Sequence, residues 1–385
     1  MIKGKLPISK FNSIETPFYY YDVDLLQQTL NRIKSEIEDK QFHVHYALKA
    51  NTNERILQEI SKHGFGADCV SGNEVLKAIK NGFDSNSIAF AGVGKTDKEI
   101  EVALDNNIFS INVESIPELH AINSIAQNKN KKARIALRIN PNIDANTHSY
   151  ITTGLNENKF GLDEKHLPQV LELLPKLSSL ELIGIHFHIG SQITDLSSFK
   201  NLCFKINNFQ KEFESNGIQL EHINVGGGLG IDYENPNEHP IADFTTYFKL
   251  FSSHLELRKT QSVHFELGRS IVAQCGSLVT RVTYLKEGVN RDFVILDAGM
   301  TDLIRPALYQ AYHHIENLTS DGKLSIYDVV GPICESSDVF GKNIKLNKTK
   351  RGDIFAILSA GAYGEVMASQ YNCRDFAKSY FSDTI

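Results

Sequence analysis

Lys49 closes an otherwise apolar run, Tyr46-Ala47-Leu48-Lys49-Ala50-Asn51. An amine in apolar surroundings is driven toward its neutral form and becomes a nucleophile able to join a carbonyl carbon as a Schiff base. Taken alone, it reads more readily as a surface amine on a buried stem. Gly226-Gly227-Gly228-Leu229-Gly230 could bring backbone N–H groups close to a phosphate, or could be a plain turn. Glu266 precedes Gly268 and Arg269; it could hold a proton on a pyridine nitrogen or pair locally with Arg269. His186 and His188 alternate ahead of Gly190 and Ser191. His188 could stack on a flat ring. The two imidazoles could also bind a metal, but no third ligand is evident and no metal is implied.

Other motifs fail on spacing. In Gly92-Val93-Gly94-Lys95-Thr96 the first glycine of a phosphate-binding loop would fall on Ala89. The glycine run at 226 comes late in the chain, and no strand–helix–strand unit with an acidic partner follows to bind a dinucleotide. The cysteines, Cys69, Cys203, Cys275, Cys334 and Cys373, are odd in number and scattered. They suggest neither a disulfide framework nor a structural zinc site.

The elements that must position these residues alternate. Short β-branched runs at 43–49, 65–70, 88–91, 108–113, 134–139, 183–188, 223–225 and 263–267 read as strands. Helical periodicity marks 53–63, 73–81, 97–106, 116–126, 164–177, 198–215 and 242–257. Eight such units predict a closed (β/α)8 barrel of the TIM type rather than an open doubly wound sheet. Functional residues of these barrels gather at the C-terminal ends of the strands. Lys49, Asp68, Ser71, Arg138, His186, His188, Ser191, the glycine run and Glu266 all fall at or just past such ends. A phosphate after strand seven, an aldehyde-reactive lysine and a carboxylate for a ring nitrogen together describe pyridoxal 5′-phosphate (PLP).

Beyond residue 270 the texture is β-rich, with strands expected at 277–286, 291–297 and 353–358, and the run 18–21 could join them. The expected organisation is a PLP-binding barrel at 25–270 and a β-rich domain from 1–24 and 271–385. The chain has 385 residues, 41% hydrophobic and 22% charged, with a net charge of -6. That length suits a large domain and a smaller one. The charge argues against nucleic-acid or membrane-surface partners. No apolar run is long enough to span a bilayer and the start MIKGKLPISKF lacks a signal core, so a cytoplasmic protein is expected.

The motifs at Lys49, His188, Gly228 and Glu266 resemble those of the alanine-racemase-fold PLP decarboxylases. Asp297-Ala298-Gly299-Met300, Arg305-Pro306-Ala307-Leu308-Tyr309, Gly331-Pro332-Ile333-Cys334-Glu335-Ser336 and Gly361-Ala362-Tyr363-Gly364 narrow the resemblance to the diaminopimelate decarboxylase family, along nearly the whole chain. The resemblance implies that Lys49 carries PLP and His188 stacks on it. Ser191, Gly227, Gly228, Glu266, Gly268, Arg269 and Tyr363 would hold ring and phosphate. Arg269, Arg305, Tyr309 and Tyr363 would meet the distal end of the substrate, and Glu335 its distal amine. Cys334 would return a proton to the reacting carbon, with Cys334 and Glu335 supplied by the second subunit of a homodimer. Leu267 and Asn73 depart from the family pattern, which has Pro and Gly there. The implied reaction is decarboxylation of meso-2,6-diaminopimelate to L-lysine. Carboxynorspermidine is the nearer alternative substrate. A racemase would place Arg where Glu266 stands, and a non-catalytic PLP-binding barrel would lack the second domain.

Overall fold

The computed structural model describes residues 6–143 and 159–385. It divides into two compact units, one of Leu30–Gly230 with Asp243–Gly268, the other of the remaining segments. The strands in chain order are β1 (Phe18–Tyr21), β2 (Phe42–Ala47), β3 (Gly66–Cys69), β4 (Ile88–Phe90), β5 (Ser110–Val113), β6 (Ala133–Asn140), β7 (Leu162–Asp163), β8 (Leu180–His186), β9 (His222–Asn224), β10 (Ser262–Leu267), β11 (Gly276–Lys286), β12 (Asp292–Leu296), β13 (Ile315–Asn317), β14 (Leu324–Val330), β15 (Val339–Asn347), β16 (Ile354–Ile357) and β17 (Lys378–Phe381).

In the first unit β2-β3-β4-β5-β6-β8-β9-β10 are all parallel, and the pairing of β10 with β2 closes the barrel. All eight expected strands are present; β7 adds a short pairing to the end of β6. The cause lies in the sequence alternation. In β10 the apolar residues Val263, Phe265 and Leu267 alternate with Ser262, His264 and Glu266. Phe265 packs outward on Tyr247, Phe248 and Phe251 of helix Phe244–His254. The polar set turns into the barrel, where Asn112 of β5 reaches Glu266 of β10, a strand that is not its neighbour. Polar side chains therefore fill much of an interior that branched aliphatic residues more often occupy.

Helix starts fix the loops at the C-terminal rim. Ser71 accepts from the Glu74 amide and Thr96 forms a reciprocal capping box with Glu99. Lys95, almost fully buried, donates to the carbonyls of Gly92 and Asn112 and to Glu118. The glycine–lysine segment is thus a bolt between two loops. The helix expected over 164–177 is cut into a 3₁₀ turn, helix Leu167–Leu173 and a second 3₁₀ turn. Pro175, which cannot donate to the helical ladder, ends it.

In the second unit β11, β12, β14, β15, β16 and β13 form one sheet, with β1 antiparallel to β11 and parallel to β17. Phe11, Phe18, Tyr20, Val279 and Ile354 form a core cluster there. Among the described residues no helix is long and apolar enough to cross a membrane.

Candidate active site

Lys49 sits in the 3₁₀ turn Leu48–Ala50, directly after β2 rather than within it. Its Nζ lies 3.8 Å from Asp68 Oδ2, with the lysine side chain 39% exposed and Asp68 buried. The amine faces a carboxylate, not the purely apolar setting its neighbours suggest. Among the described residues neither Asp68 oxygen has a hydrogen-bond partner. Burial, then the charge of Glu266, raises the Asp68 carboxyl above its ordinary value, with Lys49 opposing.

Glu266 accepts from three side chains of the barrel. His186 Nε2–H donates to Oε2 at 3.0 Å; Asn224 and Asn112 donate to Oε1 at 2.8 and 3.3 Å. Burial alone would push this carboxyl toward neutrality. The charge and hydrogen bond of His186, with Lys49, outweigh it and hold Glu266 well below the usual carboxylate range. The three donors occupy three of roughly four acceptor sites on a carboxylate, so one more N–H can be accepted. The local pairing with Arg269 considered for this residue is replaced by these three partners.

His188 is half-buried and accepts from the Gly227 amide through Nδ1 at 3.3 Å. Burial, then Lys49 and Arg138, lower it well below an ordinary imidazole, so it is neutral. Ser191 is half-buried on the turn after β8. The glycine run has a tight packing reason. A Cβ on Gly227 would stand 1.8 Å from the Glu266 carbonyl oxygen, and Gly228 has φ +108 with a Cβ 2.5 Å from Gly190 O. The Gly226 amide is spent on Asn224 Oδ1 and that of Gly227 on His188. Gly268 lies against Ala47 and Ala50 beside the Lys49 turn. Arg138 pairs with buried Glu114 at 2.8 Å, and Glu114 also accepts from the amides of Gly92 and Gly161. Arg138 therefore braces the rim loops.

In the second unit buried Arg269 and Arg305 converge on one oxygen. Tyr233 OH accepts from Arg269 Nη1 at 2.8 Å and from Arg305 Nη1 at 2.9 Å. Arg305 Nη1 also donates to His313 Nε2 at 2.8 Å. The ring of Tyr363 lies under the Arg269 guanidinium at 4.9 Å, on a backbone with φ +57. A bulky side chain rarely takes that conformation, which marks a held position. Tyr309 ends the short helix Arg305–Tyr309 and is half-buried. Cys334 and Glu335 are exposed. Their loop is pinned by Asp338, which accepts from the amides of Met300 and Ile333, while Tyr371 OH donates to Glu335.

Asn112, Asn224, Tyr233, His313 and Asp338 were not anticipated from sequence. Asn112 and Asn224 carried a signal, as polar residues alternating with Ile111 and Val113 in β5 and with Ile223 in β9. The barrel residues fit PLP: an amine for an aldehyde carbon beside a buried carboxylate, and an ionised carboxylate with capacity for a ring N–H. Among the described residues no cluster of three or more His, Cys, Asp or Glu could hold a metal ion.

Comparison with known proteins agrees with this geometry. Residues 23–273 match the pyridoxal-binding domain of the pyridoxal-dependent decarboxylases. The chain is 55% identical over 385 residues to a diaminopimelate decarboxylase of Bacteroides thetaiotaomicron, covering 100% of both. It resembles the crystal structure of Helicobacter pylori diaminopimelate decarboxylase complexed with L-lysine with a TM-score of 0.92 and 44% identity, covering 97% of this chain and 93% of that one. A lysine/ornithine decarboxylase from Vibrio vulnificus shares the fold at a TM-score of 0.85, with 20% identity over 98% of this chain and 97% of that one. The chain therefore belongs to the fold-type III pyridoxal-dependent decarboxylase family and, within it, to the diaminopimelate decarboxylases.

Proposed function

We propose that the chain catalyses the PLP-dependent decarboxylation of meso-2,6-diaminopimelate to L-lysine and carbon dioxide. The observation that carries this reading is Glu266, buried yet held ionised by His186, Asn224 and Asn112. PLP, when bound, supplies an electron sink for the pair left behind as the carboxylate departs. Glu266 would keep the ring nitrogen protonated, which a racemase-type arginine at that position would not do. Lys49 would hold the aldehyde carbon, and neutral His188 would lie against the ring. Ser191, Gly227, Gly228, Gly268, Arg269 and Tyr363 would seat the remainder. Asp68 would accept the charge of the Lys49 ammonium whenever that amine is released.

Arg269 and Arg305 would bind the distal carboxylate, since guanidinium meets carboxylate through two parallel hydrogen bonds. Tyr309 would complete that grip and Glu335 would take the distal ammonium. Cys334 would deliver a proton to the carbon that lost its carboxylate. Their exposure supports a homodimer in which Cys334 and Glu335 serve the second copy's site. The free thiols of Cys334 and Cys373 suit the reducing cytoplasm.

Carbon dioxide release from diaminopimelate, carboxynorspermidine, ornithine, arginine and lysine tests the substrate. Diaminopimelate is expected to be preferred; a preference for ornithine would defeat the distal-carboxylate reading. Mixing Lys49→Ala with Cys334→Ala subunits should restore part of the activity, and no recovery would refute shared sites.

A further inference from the structure

We infer that Tyr233 and His313 form the positioning layer of the distal carboxylate clamp and thereby set substrate specificity; this rests on the function proposed above. Two guanidiniums buried side by side repel each other and are costly to desolvate. The structure answers this with one oxygen. Tyr233 OH accepts from Arg269 and Arg305 together, at 2.8 and 2.9 Å. The Arg305 guanidinium also lies 4.9 Å from the centre of the Tyr233 ring, so the phenol meets it through both its oxygen and its π face. Burial works to raise the Tyr233 phenol, but the two guanidiniums and their hydrogen bonds more than offset it and hold it below its usual value.

His313 fixes the other side. Its Nδ1–H donates to the Leu358 carbonyl at 2.9 Å, which leaves Nε2 as the acceptor for Arg305. Burial, then Arg305, lower this imidazole to about 3, so it stays neutral and keeps accepting at any working pH. Its ring stands edge-on to Tyr233 at 5.1 Å. Both hydrogens of Arg305 Nη1 are then engaged, one by Tyr233 and one by His313. A carboxylate must dock on the Nε–Nη2 edge, so the two internal acceptors select which face of the fork the substrate meets.

The test compares Tyr233→Phe with wild-type holoenzyme. KM for diaminopimelate should rise roughly ten- to hundred-fold, the loss expected for a hydrogen bond to a charged group. The kcat should stay within about threefold, and the cofactor's visible absorption should not change. Competitive inhibition by L-lysine, which keeps the distal carboxylate, should weaken by a similar factor. Inhibition by 1,5-diaminopentane, which lacks it, should not. Equal weakening of both inhibitors, or none, would overturn the assignment. Wild-type enzyme that does not distinguish the two inhibitors would overturn both this inference and the proposed substrate. His313→Leu should give the same split in smaller measure and His313→Gln, which keeps an acceptor, should recover most of it. This pair decides the question if Tyr233→Phe does not fold.

Discussion

Two polar clusters share the barrel interior and are built on opposite electrostatics. Toward the C-terminal ends of the strands, Glu266 is buried and kept charged by donors from β5, β8 and β9. Toward the N-terminal ends, His45, His222 and His264 are buried and kept neutral. His45 Nε2 and His264 Nδ1 lie 2.7 Å apart, His45 Nδ1 bonds to Ser87 O, and the imidazoles stack among themselves and on Phe109. The first cluster can keep its charge because each donor has a fixed partner of opposite polarity. The second has rings for neighbours and the Arg134 guanidinium over Phe109, so any added positive charge is unwelcome. One end is arranged to bind a charged group and the other to close the barrel.

The strongest test of the contrast is to make the charged end resemble the neutral one. Glu266→Gln keeps the shape and removes the charge. We expect decarboxylation to slow on the order of a thousandfold, because the electron sink loses its fixed counter-charge. PLP should still attach to Lys49, visible as retained cofactor absorption. A loss below tenfold in a steady-state assay would show that the carboxylate is a structural anchor.

The neutral end predicts acid lability. Burial, partly offset by Glu266 and the Ser87 bond, lowers His45 to about 4, and burial with His45 lowers His222 to about 3. A base whose folded pKa lies below its unfolded value of 6.5 is protonated first in the unfolded chain. The stability it contributes is therefore intact above pH 6.5 and is lost as pH falls toward 4 for His45. A drop from 6.5 to about 4 corresponds to about 3 kcal/mol from His45. Urea unfolding at about pH 7.5 and about pH 4.5 measures the loss. His45→Gln should flatten the pH dependence by that amount relative to wild type, and an unchanged slope would remove these imidazoles from the account.

The same contrast explains what the sequence does and does not disclose. The strands were legible because apolar residues facing the helices alternate with polar residues facing the lumen, as in Ser262-Val263-His264-Phe265-Glu266-Leu267. Lys49, Glu266 and Arg269 were legible because each reactive type falls at or beside a strand end. Alternation turns Asn112 into the lumen, but its pairing with Glu266 was not legible, because that partner lies 154 residues away. Tyr233 and His313 were hidden for the same reason: a tyrosine after a glycine run says nothing of two arginines 36 and 72 residues further on. β14 and β15 escaped notice because their register is marked by few buried residues; Leu324 and Ile326 are exposed and lysines punctuate β15. A period of two is strong only where one face is buried.

Glycines give the finest comparison, since each end depends on one that cannot carry a methyl group without something moving. At the neutral end a Cβ on Gly184 would meet His222 O at 2.4 Å and His222 Nε2 at 2.6 Å. At the charged end a Cβ on Gly227 would meet Glu266 O at 1.8 Å. Overpacking of this kind costs about 2 kcal/mol, so both alanine variants should unfold at lower urea concentration. Their catalytic consequences should diverge. Gly184→Ala displaces the carbonyl and imidazole of His222, which touch neither Lys49 nor Glu266, and its kcat under native conditions should stay near wild type. Gly227→Ala shifts the backbone of Glu266 and the amide that His188 accepts from, so kcat should fall roughly tenfold or more for a displacement near 1 Å. Equal rates in the two variants would mean that the two ends are coupled as one rigid core, and that the rim tolerates movement its hydrogen bonds argue against.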